Sequence, residues 1–562
     1  MGQGFFQIGI TISLFIIISL LLGRYIFSVY TNGNNIFQPL LNPLERTIYL
    51  LAGISAQDNM NAAQYIRAVI SSNLCMGIAV YFLLANQKTL PWNPTNLRVP
   101  SWDLVLHTTI SFLTSTNSQH YGGESTFSYF SQMAALSFLM FTSAATGLAV
   151  GIGVIRGLTN KPLGNFYVDI TRGITRIFLP ISILGAIALI ITGVPQTLSP
   201  PIAVNTLEGD TQYIAVGPVA TFEMIKMLGG SGAGFFTANS AHPFENPNGA
   251  SNLIEILSMI AIPTALIHTY GFFAKNSKQA WFLFWMIFTI FLVLLGFSLV
   301  GEYGGNPLIN NLLGGNLDAP NLEGKEVRFG VSQTILWAVI STATMCGAMN
   351  GIHDSLLPSG GFSTLFNLLS QIIWGGIGTG IIHLLLYLIL AMFLAALLVG
   401  RTPTFAGKKI EHKEIFLVSL VLLIHPITIL IPSAITLLNV PSTGINNPDF
   451  HGLSHVIYEY AAASANNASI FLSTRDNSLW WNLSTSVSML IGRYVPIIAM
   501  LLVAGNMANK PILSPSIDSF KTDSLVFTSW IAGLMLIVTA LIFLPVILLG
   551  PIAEGIQLTA GG

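Results

Sequence analysis

Ten separate runs in this chain stay apolar for about the length needed to cross a bilayer, roughly 20 residues per crossing. They cover residues 5–22, 65–86, 127–155, 170–191, 252–273, 280–299, 363–400, 414–438, 481–505 and 525–549. Inside hydrocarbon every backbone N–H and C=O must be bonded within the protein, which restricts spanning segments to helices and closed barrels. An all-α membrane protein of about ten spans is the expected fold class. Only 8% of the residues are charged and 52% are apolar, where a soluble domain carries roughly a quarter charged residues. The first run has no basic residue before it, and Gly23-Arg24-Tyr25 is not a small-residue cleavage site, so it is read as a retained helix, not a signal peptide. A formal charge of -1 leaves no basic excess for nucleic acid. Cys75 and Cys346 are too few for a disulfide framework or a zinc site.

The run 363–400 is too long for one crossing, and its middle, Gly375-Gly376-Ile377-Gly378-Thr379-Gly380, is a poor helix interior. A broken helix is predicted there. Four shorter, less apolar stretches cannot cross at all: 103–116, 218–228, 331–344 and 451–463. Each ends in small or amide residues and sits in a unit of helix, short helix, loop, helix. The unit recurs at roughly 110 residues, which reads as internal duplication. The expected organisation is a first helix and cytoplasmic loop (1–62), four repeats about a pseudo-four-fold axis (63–156, 157–274, 275–401, 402–506) and a last helix (507–562). The third repeat carries the broken second helix.

Basic residues orient the units, because positively charged connections stay in the cytoplasm. Arg156, Lys161, Arg172, Arg176, Lys275, Lys278, Arg401, Lys408, Lys409, Lys413, Lys510 and Lys521 are assigned to connections between units. The opposite loop 192–216 has Glu208 and Asp210 and no Lys or Arg. Lys325 and Arg328 are offset by Glu302, Asp318, Glu323 and Glu326. The short helices therefore dip in from outside and return there.

The loops after the short helices read Thr114-Ser115-Thr116-Asn117-Ser118-Gln119, Gly230-Ser231-Gly232-Ala233-Gly234, Thr344-Met345-Cys346-Gly347-Ala348-Met349-Asn350 and Ser464-Ala465-Asn466-Asn467-Ala468-Ser469. Small-residue runs in membrane helices usually mark close-packing seams. Four at matching places in a repeat point instead to a pore lining. Non-helical backbone at membrane depth belongs where it is buried or lines a water path, and its carbonyls can replace an ion's hydration shell. Short helices ending at these loops aim their negative dipole ends at a shared axis, which favours a cation. None of the loops holds a carboxylate, so a monovalent cation, potassium before sodium, is expected over a hard divalent one. Glu124, Glu245, Asp354 and Glu459 flank the loops as caps or a solvated rim, with a cation-attracting vestibule an equal reading for Glu245. His353 beside Asp354 reads as a loop anchor, and His268, His383 and His425 as packed and hydrogen-bonded. Arg401 follows the broken helix, where a cation below a cation path raises a barrier; Gly376 and Gly378 in the break are the other gate candidates.

The runs GFFTANSAHPFENP (234–247), CGAMNGIHDS (346–355), GRTPTFAGKKIE (400–411) and ASANNASIF (463–471) closely resemble the channel-like A subunits of the Kdp potassium-transporting ATPases, and the likeness runs from the first helix to the last. The resemblance implies a pseudo-four-fold member of the potassium transporter superfamily in a bacterial plasma membrane, its filter facing the exterior. It implies potassium as transported ion, no covalent cofactor, and a tunnel to a separate P-type ATPase subunit, KdpB, with KdpC and a small single-span KdpF as further partners. Carried over by position, the filter comprises Ser115, Thr116, Asn117, Ser231, Gly232, Cys346, Gly347, Asn466, Asn467 and Ala468, with Gln119 near the tunnel entrance. Arg401 matches the family's Arg behind the broken helix. Ala468 stands where the family usually has Gly, Ala233 interrupts a Gly triplet and Ser118 replaces a usual Trp. The Ala468 methyl is expected to narrow the site or to conflict with a positive φ.

The chain has no Walker A pattern and no DKTG phosphorylation motif, so energy must come from another chain. The alternative is a self-sufficient Trk- or Ktr-like channel or symporter, which shares the four-repeat plan. An intramembrane enzyme would need clustered His, Asp, Glu or Ser on one cavity, and the sequence shows no such spacing.

Overall fold

Backbone groups that cannot reach water are bonded within each apolar run, and in the computed structural model those runs are helices. Among the described residues, ten are long and apolar enough to cross a membrane: Gly2–Tyr30, Ala62–Ala85, Ser131–Leu158, Phe166–Ile191, Gly249–Ala274, Ser277–Leu312, Thr379–Leu398, His412–Leu438, Leu479–Asn509 and Leu525–Thr559. The structure describes residues 2–31, 38–312, 314, 319–438, 445, 447, 449–471, 476–513 and 521–560; Asp318 lies outside them. The fold is all-α, with two small hairpins as its only described sheets.

Burial sorts the spans. The most apolar window of the third span is 89% buried and that of the fifth 78%, against 22% for the first and eighth, so the third and fifth lie at the centre and the first and eighth on the rim. Small residues permit this packing. A Cβ on Gly157 would sit 2.6 Å from the Ala504 carbonyl of the ninth span, and one on Gly23 of the first span would sit 2.8 Å from the Ala265 carbonyl of the fifth. Thr269 Oγ1 closes that second contact by donating to the Gly23 carbonyl at 3.1 Å.

The predicted break is present. A helix Pro358–Ser370 ends at Gln371 in the left-handed region, and helix resumes at Thr379. Between them Trp374, Gly375 and Gly378 all have positive φ. Only glycine fits at Gly378 (φ +78°), because a Cβ there would overlap the Gly147 carbonyl of the third span.

Three assignments change. The segment after the first span is more than a loop: Gln38–Ala52 is a helix, pinned by Arg176, whose Nε and Nη2 donate to Glu45 at 2.6 and 2.5 Å. Arg176 itself lies in a π-helical turn, Gly173–Phe178, of the fourth span instead of in a connection. Arg156 likewise belongs to the end of the third span, paired with Asp169 at 2.8 Å. Arg176 is paired with Glu45, 131 positions away, and Arg156 with Asp169, 13 positions away. The loop 192–216 holds a hairpin, Ile202–Asn205 against Thr211–Ile214, turned at Gly209 (φ +95°).

Candidate functional site

Four short helices, Trp102–Leu113, Val219–Leu228, Gly330–Ala343 and Asp449–Ala465, end in the same way. After each comes a residue in the left-handed region: Ser115 (φ +60°), Gly230 (+59°), Met345 (+53°) and Asn466 (+57°). The following backbone N–H reaches back to the last turn, Thr116 to Ser111 O (2.9 Å), Ser231 to Lys226 O (2.9 Å), Cys346 to Ser341 O (3.0 Å) and Asn467 to Ala462 O (2.9 Å). These are Schellman endings, which satisfy the orphaned carbonyls and turn the chain sharply away from the helix axis. One geometry, repeated four times, sets three successive rows: Ser115, Gly230, Met345 and Asn466; Thr116, Ser231, Cys346 and Asn467; Asn117, Gly232, Gly347 and Ala468. The positions carried over from the family resemblance fill the last two rows but leave out Gly230 and Met345 in the first.

The loops touch in a closed ring. Gln119 of the first loop bonds both the N–H (3.0 Å) and the carbonyl (3.3 Å) of Gly234 in the second. Cys346 Sγ of the third donates to Ser231 O of the second at 3.3 Å. Asn467 Nδ2 of the fourth donates to Ser341 O below the third at 3.1 Å, and Asn466 Nδ2 returns to Thr116 Oγ1 of the first at 3.0 Å. All ten residues assigned to the loops from sequence are buried, as is Gln119. Within this ring the Asn117 carboxamide and the Ser231 hydroxyl are buried without a protein hydrogen-bond partner among the described residues. Buried polar atoms in that state require a water or an ion.

Ala468 is not among the positive-φ residues, so its methyl causes no backbone conflict. It acts sterically: a Cβ on Gly232 would overlap the Ala468 methyl and lie 2.8 Å from the Cys346 carbonyl oxygen. Glycine at 232 lets three loops meet at one point.

The break lies directly beneath. Gly375 N donates to Ala343 O at the end of the third short helix (2.9 Å), Gly376 faces Met345, and the Ile377 side chain lies under Gly230. Gly378 abuts Gly147. Beside them, buried in the ninth span, Arg493 donates through Nη2 to Ser143 O at 3.1 Å and faces Gly147. Arg401 is elsewhere, exposed beyond the far end of Thr379–Leu398, about 30 Å along the helix from the break at 1.5 Å per residue. The structure thus brings Gly376 and Gly378 to the loops and leaves Arg401 apart. Arg493 was missed because a single Arg in a long apolar run has no spacing to mark it.

Glu245 is neither vestibule nor rim: it is fully buried and paired with Lys226 at 2.9 Å. Glu124 accepts from Thr237, and Glu459 from Phe471 N at 2.6 Å. His353 anchors its loop through Tyr458 Oη (2.8 Å), not through Asp354, which holds His451 at 2.9 Å. Burial acts against charge on His451, but hydrogen bonds to Asp354 and Glu554 prevail and push it up to about 10. His383 bonds Thr379 O, and His425 bonds Gln371 and Ser464. His268 packs on Trp281 and Phe284.

Ten apolar spans around a buried, neutral, carbonyl-rich junction define a multi-pass membrane protein of ion transport. Residues 9–556 match the family model described as the potassium-transporting ATPase A subunit, KdpA. The chain is similar to proteins named potassium-transporting ATPase potassium-binding subunit: 62% identical to one from Nostoc sp. over 562 residues, all of both chains. It is 55% identical to one from Synechocystis sp. over 560 residues, 99% of this chain and 100% of the relative. With one from Geobacillus kaustophilus it shares 45% over 557 residues, 99% of each. The chain belongs to the KdpA family, and so to a potassium-transporting ATPase complex with other subunits.

Proposed function

We propose that the four converging loops are the selectivity filter through which this subunit takes potassium from outside the cell, and that the ion continues through an intramembrane tunnel to KdpB, the P-type ATPase subunit that hydrolyses ATP. KdpC and the small single-span KdpF complete the complex in the bacterial plasma membrane. The observation that carries this reading is the closed ring of four like helix endings. Their dipoles point negative ends at one place, and the loops supply neutral oxygens with no carboxylate. Such a site suits a monovalent cation. The unpartnered Asn117 carboxamide and Ser231 hydroxyl are the polar atoms a permeating ion and its water engage. Below the ring, the break and Arg493 oppose passage straight through, since a buried guanidinium repels a cation in low dielectric. A sideways exit follows.

The test is potassium-stimulated ATPase activity of the purified complex. Gly232→Asp puts a side chain where the Ala468 methyl sits and adds a charge. The half-saturating potassium concentration is expected to rise about tenfold or more, equivalent to about 1.4 kcal/mol, in a complex that still co-purifies. An unchanged half-saturating concentration overturns the filter assignment.

A further inference from the structure

Behind the second loop lies a cation sealed from solvent. Lys226, in the last turn of Val219–Leu228, is 0% exposed. Its ammonium has four oxygens within hydrogen-bonding distance for its three N–H groups: Glu223 Oε2 (3.0 Å), Asn239 Oδ1 (2.6 Å), Ser240 Oγ (2.9 Å) and Glu245 Oε2 (2.9 Å). Glu245 spends its other oxygen on Phe236 N at 2.7 Å. The cluster is therefore welded to both sides of the loop it backs.

Asn239 passes this charge on. While its Oδ1 takes the ammonium, its Nδ2 donates to the carbonyl oxygen of Gly232. The same Oδ1 meets the Met349 N–H of the third loop at 3.5 Å. A left-handed backbone (φ +55°) holds the residue in this pose. A cation on the oxygen of an amide polarises its N–H groups and makes them stronger donors. The Gly232 carbonyl is thus fixed in direction and its negative charge partly drawn off. Discrimination between ions of similar size depends on where carbonyl dipoles sit and how strong they are, so a relay that fixes both bears directly on preference.

We propose that Lys226 and Asn239 are positioning residues that set ion preference by holding the Gly232 carbonyl. The inference rests on the filter reading above and goes further, by naming what supports one of its rows. In Asn239→Asp the shape and the contact to Lys226 survive, while the donor to Gly232 becomes an acceptor that repels it. The double variant Lys226→Gln with Glu223→Gln removes the cation together with the carboxylate nearest to it (2.8 Å), leaves Glu245 bonded to Phe236 N, and keeps a neutral donor at Asn239.

The experiment measures half-saturating potassium and rubidium concentrations for ATPase activity of the purified complex, with Gly232→Asp in parallel. For Asn239→Asp the rubidium-to-potassium ratio is expected to change about tenfold with maximal rate within about twofold of the parent, and for the double variant about threefold. A merely structural brace lowers yield, melting temperature or maximal rate and leaves the ratio alone; that result overturns the proposal. If Asn239→Asp does not assemble, the ratio in the double variant decides. If Gly232→Asp itself leaves potassium affinity unchanged, the filter reading falls; if it shifts affinity while Asn239→Asp and the double variant keep the parental ratio, the filter stands and the relay falls.

Discussion

Ala468 shows how much one carbon can decide. Its methyl fills the gap beside Gly232, and Gly347 (φ +85°) packs against the Ala468 backbone from the third loop. Ala468→Gly removes the only side-chain carbon at that position. The half-saturating concentration for rubidium, the larger ion, is expected to fall about threefold or more relative to that for potassium, read by rubidium-stimulated ATPase activity. An unchanged ratio would remove the methyl as a size limit. The substitution also adds backbone freedom worth about 0.5–1 kcal/mol to the unfolded chain. At this scale the residues alone mark the four loops, by their small and amide side chains, and the individual positions Thr116, Ser231, Cys346 and Asn467 come from the resemblance to the family. Lys226 was not legible. In an amphipathic run it reads as the polar face, and its partner Glu245 lies 19 positions on, across a loop whose path no periodicity gives.

Among elements, the short helices follow from length and polarity, and the break follows from clustered glycines. Val219–Leu228 begins one residue after the expected start at 218 and ends at the expected place. The helix Gln38–Ala52 escapes, since it is held by a contact made elsewhere, Glu45 with Arg176, and the hairpin 202–214 escapes as two four-residue strands in a mostly exposed loop. Propensity is a weak guide to segments stabilised by distant partners. The break itself is testable. Gly378→Ala puts a methyl into the Gly147 carbonyl at a positive φ, so a loss of about 1–3 kcal/mol is expected. Thermal melting of the purified complex reads it, and a melting temperature equal to that of the parent would show that the third span can yield.

Over the whole molecule, residues far apart in sequence are clipped together beside the ring. His451, on the fourth short helix, bonds Asp354 of the third quarter and Glu554 of the C-terminal segment, each at 2.9 Å. With its value raised from 6.5 to about 10, the clip contributes fully below pH 6.5 and loses its contribution as pH rises toward 10. The melting temperature of the complex is expected to fall over that window by an amount corresponding to about 1–2 kcal/mol after allowance for solvent screening. His451→Gln should flatten the slope; a slope that persists in the variant assigns it to other groups. The ten spans were readable from hydropathy alone, because the bilayer fixes their length. The ties that close the ring were not, since Gln119, Cys346, Asn467 and Asn466 each solve the same joint with different chemistry.

That inequality has an evolutionary reach. In a pore assembled from four identical chains, one codon change is felt four times and most changes are ruinous. Here a substitution in one quarter leaves three untouched, so selectivity can drift in single, quarter-sized steps while the joint stays shut.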